Sequence, residues 1–93
     1  MILGYNTNVY YNGNTYHIQT EDNGLKNPII ISRIYLKGEI IAHKKASYVH
    51  VIEEPDYYEK VKNLMDGQHR NMIRELLNGN YTEETKQQEE DTK

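Results

Sequence analysis

This 93-residue chain predicts an α+β domain: an antiparallel sheet of four or five strands, built from two hairpins, packed against one long C-terminal helix. Three observations carry that expectation. Residues 5–21 alternate around Asn12-Gly13, residues 29–45 do so around Lys37-Gly38, and apolar residues from Tyr57 to Leu76 recur at helical spacing.

Asn12-Gly13 is a strong hairpin signal, because a type I′ turn needs positive φ at both central residues. With a two-residue loop, Val9 lies opposite Tyr16, Thr7 opposite Ile18 and Tyr5 opposite Thr20. One face then reads Tyr5, Val9, Tyr11, Tyr16 and Ile18, which is core-like. The other reads Asn6, Asn8, Tyr10, His17, Gln19 and Glu21, which is polar. A four-residue loop changes the pairs and keeps each strand's alternation.

Asp22-Asn23-Gly24 ends the strand, and Asn27-Pro28 restarts the chain in extended form. Ile29 to Leu36 is apolar on both faces except for Ser32 and Arg33, the pattern of a central or doubly covered strand. Glu39 to Lys45 follows Lys37-Gly38. Ser47 to Ile52 reads either as a short fifth strand or as an extended connection.

Glu53-Glu54-Pro55-Asp56 starts the helix, with acids at the positive end of its dipole and Pro tolerated in the first turn. Tyr57, Val61, Leu64, Met65, Met72, Ile73 and Leu76 form its apolar stripe, interrupted at Gln68-His69, and Asn78-Gly79 stops it. Its length of roughly 35 Å exceeds what a sheet of short strands usually covers. Two outcomes follow: the helix overhangs and pairs with a second copy, or it breaks near Gly67 and folds back. The first is preferred. It gives a homodimer whose interface draws on Leu64, Gln68, His69, Met72 and Leu76.

Composition narrows the function. The absence of Cys removes disulfides, thiol nucleophiles and Cys-based zinc sites, and is consistent with a cytoplasmic setting. No apolar run is long enough to span a bilayer, and no signal peptide is read at the start. Residues 81–93 hold five acids and two lysines, net −3, equal to the charge of the whole chain. Residues 1–80, expected to form the single folded domain, therefore sum to zero; 81–93 is expected to be a disordered acidic tail. A neutral folded part lacks the basic field of proteins that bind nucleic acid mainly through phosphates. Nine Tyr with no Phe or Trp suggest rings at the core's edge or in an interface.

The string Tyr16-His17-Ile18-Gln19-Thr20-Glu21-Asp22, the segment Lys44-Lys45-Ala46-Ser47-Tyr48 and the pair Gln68-His69 resemble a family of small uncharacterised bacterial proteins. The likeness spans roughly residues 5–79. It implies a bacterial origin and adds no fold, cofactor or activity.

The densest polar cluster is His17, Gln19 and Glu21 on one strand face, with Asp22 in the following turn. An imidazole, an amide and a carboxylate could converge there on one ligand; the plainer reading is the solvated face of a half-buried sheet. Lys37, Lys44 and Lys45, with Tyr10, Tyr35 and Tyr48, could stack bases while the lysines meet phosphate, and Ser47 adjoins them on the candidate binding surface; edge-strand lysines that discourage aggregation are the plainer reading. His17, His43, His50 and His69 lack metal-ligand spacing, so no metal is expected. No Gly-rich elbow or phosphate loop surrounds a nucleophile, so no catalytic residues are expected. The resulting expectation is a non-enzymatic, homodimeric, cytoplasmic protein-binding module without cofactors. A nucleotide sensor or single-stranded nucleic-acid binder using His17, Gln19, Glu21, Lys44 and Lys45 ranks second.

Overall fold

A computed structural model of the chain describes residues 2–81. Strands β1 (Tyr5–Tyr11), β2 (Asn14–Asp22), β3 (Ile29–Leu36) and β4 (Glu39–Ser47) precede a short 3-10 turn, Val49–Val51, and one helix, α1 (Tyr57–Leu77). The strands form one antiparallel sheet in the order β1-β2-β3-β4. The α+β architecture is as expected, with four strands.

Both hairpins close on two-residue turns. Asn12 and Gly13 have φ of 52° and 84°, and Lys37 and Gly38 have 53° and 83°. Paired positive φ is the type I′ signature, whose twist matches that of the strands it joins. The first hairpin adopts the expected register, with Tyr5 opposite Thr20, Thr7 opposite Ile18 and Val9 opposite Tyr16. The second contains a register shift between Ile34 and Tyr35, beyond which Ile40 rather than Ile41 pairs with Tyr35. Ala42 is buried and Ile41 packs against the same cluster.

No fifth strand forms over Ser47–Ile52. The Tyr48 N–H still donates to the Pro28 carbonyl at 2.9 Å, but the Tyr48 ring is buried and its hydroxyl bonds to Asp22. The chain bends there into the 3-10 turn.

The helix runs unbroken through Gly67. That residue faces open space, with no atom within 4 Å of where a Cβ would stand, so nothing forces a kink. At its C-terminus Gly79 takes φ 83°, its N–H bonds to the Leu76 carbonyl at 2.9 Å, and the Asn80 N–H bonds to Glu75 at 3.0 Å. This is a Schellman closure. Tyr81, placed by the sequence at the head of the tail, packs against the Met72–Leu76 end of the core and donates to Glu75. The rest of the acidic tail lies outside the described residues.

The helix lies along the strands rather than across them. Val61 and Met65 pack with Ile30 and Tyr48, His69 sits over Thr20 and Thr7, and Met72 and Leu76 pack with Tyr16, Ile18, Ile34 and Ala42. Passing along the helix therefore means moving backward along β2 and forward along β3. A 21-residue helix measures about 32 Å and a nine-residue strand about 30 Å, so the two match and no overhang results. Nothing in the helix length calls for a second copy. Of the residues assigned to that contact, His69, Met72 and Leu76 are buried against their own sheet, Gln68 is half-buried, and Leu64 is exposed.

The core is two apolar clusters. Ile2, Ile30, Tyr48, Val51, Val61 and Met65 make one; Tyr16, Ile18, Ile34, Ala42, Met72 and Leu76 make the other. Between them lies a belt of polar side chains. No helix among the described residues is long and apolar enough to cross a membrane.

Candidate functional site

Strand alternation sends successive side chains of β2 to opposite faces, so the string His17–Asp22 divides. His17, Gln19 and Glu21 face away from the helix, while Ile18, Thr20 and Asp22 face it and are buried. Asp22 is thus separated from the three residues with which it was grouped.

On the open face each member of the trio turns to a cross-strand neighbour. His17 contacts Asn8 through Nδ1 (2.8 Å) and Asn6 through Nε2 (3.2 Å), and its ring lies 6.0 Å from that of Tyr35. The Gln19 Oε1 accepts from the Tyr35 hydroxyl at 3.3 Å. Glu21 pairs with Arg33 at 3.3 Å. The three therefore do not converge on a common point. They are joined by Asn6 and Asn8, which share the polar face in the hairpin register, and by Arg33 and Tyr35, whose placement requires the β2–β3 register, which no local turn sets. Lys45 and Ser47 share this face, opposite Ile31 and Ile29. Lys44 sits opposite the buried Ser32, in the row on the helix side. Ile31 belongs to the open face yet is only 8% exposed, flanked in register by Glu21 and Lys45.

The helix side holds the belt. Gln68 Nε2 donates to Ser32 Oγ (2.9 Å) and to the Lys44 carbonyl (3.2 Å). Ser32 Oγ lies 2.6 Å from Thr20 Oγ1, which lies 2.8 Å from His69 Nδ1. His69 Nε2 lies 2.8 Å from Thr7 Oγ1. All four strands thus bond to two consecutive helix residues. Gln68 Nε2 can only donate, so Ser32 accepts from it, while each hydroxyl can either give or accept its remaining bond. One order that satisfies every group runs from Ser32 to Thr20, from Thr20 to His69 Nδ1, and from His69 Nε2–H to Thr7, with the imidazole neutral. Burial pushes the His69 pKa down, with His17 adding to the effect and Asp66 opposing it. Among the described residues no buried side-chain nitrogen or oxygen lacks a partner.

A Ser–Thr–His chain is the vocabulary of nucleophile activation. Here Ser32 and Thr20 are fully buried and His69 is 4% exposed, so the hydroxyls have no open approach. The belt is built as part of the interior. The sequence signal for it was the break in the helix stripe at Gln68-His69, together with hydroxyls at inward strand positions. Gln68 and His69, assigned from the sequence to the subunit contact, dock on their own sheet.

Asp22 forms a second buried knot. Its Oδ1 accepts from the Tyr48 hydroxyl (2.5 Å) and the Gly24 N–H (2.9 Å), and its Oδ2 from the Ile2 N–H (3.4 Å). Burial first, and the Asp22 carboxylate second, push the Tyr48 pKa well above its ordinary value. The histidines stay apart: His17 and His43 occupy β2 and β4 with β3 between them, His69 lies beneath the sheet, and His50 lies in the 3-10 turn. No group of three or more metal-ligating side chains forms among the described residues. No family model, curated protein or solved structure matches this chain.

Proposed function

We propose that this chain is a small homodimeric, non-enzymatic protein-binding module of the cytoplasm, and that the open face of its sheet is the surface that meets the partner. One observation carries the reading: the face left bare by the helix is an ordered array. Ile31 and half-buried Tyr35 lie among side chains already tied across strands, Glu21 to Arg33, Gln19 to Tyr35 and His17 to its two asparagines. Side chains held in place lose little further freedom on binding, and aromatic and Arg residues are the usual anchors of such contacts.

The test compares wild type with an Arg33→Glu/Tyr35→Asp double variant, each shown to be folded by its thermal melt. Both are immobilised and challenged with the same cell extract. A protein retained by wild type and lost by the variant supports the open face. Identical retention by both removes it.

A second reading rests on Tyr10 and Tyr35 sharing that face with Arg33 and Lys45, an arrangement suited to stacking a base beside a phosphate. Titration of short single-stranded oligonucleotides at two salt concentrations separates it from the first: salt-sensitive amide shifts on the open face favour it, and an unchanged spectrum counts against it.

A further inference from the structure

The sheet ends in two unlike edges. β4 carries His43, Lys44 and Lys45 and pairs with β3 through a register shift, both devices that discourage a further strand from adding. β1 has neither. Tyr5-Asn6-Thr7-Asn8-Val9-Tyr10-Tyr11 contains no charge and no proline, and its register with β2 is continuous over all seven residues.

The turn fixes which backbone groups this edge offers. In a two-residue hairpin the residues flanking the turn, Tyr11 and Asn14, form a hydrogen-bonded pair, and such pairs then alternate along the ladder. Tyr11, Val9, Thr7 and Tyr5 therefore direct their N–H and C=O groups toward β2. Asn6, Asn8 and Tyr10 direct theirs outward.

We infer that β1 is the homodimer contact: two copies join β1 to β1 in antiparallel fashion about a two-fold axis at Asn8, merging two sheets into one. The inference rests on the homodimer reading above and gives it a surface. Centring on Asn8 places Asn8 opposite Asn8 of the second copy and Asn6 opposite the second copy's Tyr10, in about six hydrogen bonds that use every outward group. Moving the centre by one residue in either direction leaves an outward-facing residue unpaired. The faces also agree. Thr7 meets Val9 and Tyr5 meets Tyr11 on the helix side, pairings of the β-branched and aromatic kinds that stabilise sheets, and no charge opposes a like charge. The dyad stands perpendicular to the sheet, so both helices cover the same side and both open faces join into one continuous surface.

Residue 8 faces itself only in this arrangement, which makes it the place to test. Sedimentation equilibrium is measured for wild type, Asn8→Lys, Asn8→Asp and an equimolar mixture of the two variants. The expected result is a wild-type dimer, a dissociation constant at least about 30-fold higher for each variant alone, and recovery of the dimer in the mixture. A wild type that remains monomeric overturns both the homodimer reading and this contact. A dimeric wild type with equally dimeric variants, or a mixture that stays monomeric, overturns the β1 contact and leaves the homodimer standing. If the charged variants do not fold, Asn8→Cys in this cysteine-free chain serves instead, because opposed hydrogen-bonded residues lie within disulfide reach. A disulfide-linked dimer after mild oxidation is expected, and its absence overturns the contact.

Discussion

On the helix side of the sheet, Thr20 and Ser32 meet at 2.6 Å and, with half-buried Thr7, bond to His69 and Gln68 at 2.8–2.9 Å; Thr20, Ser32 and His69 have almost no exposure. On the open side, Gln19 and Tyr35 meet at 3.3 Å, as do Glu21 and Arg33, with water at hand. The chemical groups are similar, and both faces are tied strand to strand. Burial separates them. A polar atom that loses its partner outside turns to water, whereas one that loses it inside pays the full desolvation penalty. The denser-looking charge pattern thus occupies the face where each bond contributes least.

Four measurements can break or sharpen this contrast. The largest effect is expected from Thr20→Val, which removes the hydroxyl linking Ser32 to His69 and leaves both short of a partner. A loss of about 3 kcal/mol by urea denaturation is expected, and a change under about 1 kcal/mol would mean the belt contributes no more than the surface ladder. Tyr48→Phe withdraws one of three donors from buried Asp22 and should cost about 2 kcal/mol; an unchanged midpoint would place Asp22 in contact with water.

Acid should act on the helix side in a defined direction. Burial holds the His69 pKa below its unfolded value of about 6.5, so the unfolded chain binds more protons as the pH falls through that value. Stability from the neutral imidazole is complete above that pH and declines below it. His69→Gln should flatten the decline between pH 7 and 5, and an identical slope in the variant would exonerate His69. The smallest effect belongs to the open face. Glu21→Gln should change stability by less than about 0.5 kcal/mol, because the pair with Arg33 is partly exposed and screened.

Much of the fold was legible because its signals are local. Asn12-Gly13 determines a turn, the turn determines a register, and the register sorts His17 from Thr20. The spacing from Tyr57 to Leu76 likewise defines a helix. What was not legible depends on direction and distance. Helix length is readable in sequence, but the angle between helix and strands is not, and the overhang was expected of short strands where nine-residue strands run beside the helix. His69 and Thr20 stand 49 residues apart, and nothing in either neighbourhood announces the other. Asp22 looked like a turn acid beside His17 and Glu21 because its partner, Tyr48, lies 26 residues further on. Polar residues in a helix stripe suggested a missing neighbour, when inward hydroxyls on three strands already supplied one.

The polar belt also fixes the axial position of the helix. A helix lying parallel to strands over an apolar bed has one easy displacement, a slide along its own axis, because aliphatic contacts on either side are nearly interchangeable. A slip of one turn, about 5.4 Å, would carry His69 and Gln68 off their hydroxyls and onto Ile18 and Ile34 or onto Ile30, stranding donors and acceptors on both surfaces. The belt acts as a detent. It permits one seating of the helix and leaves the aliphatic clusters on either side free to accept conservative substitution without losing alignment.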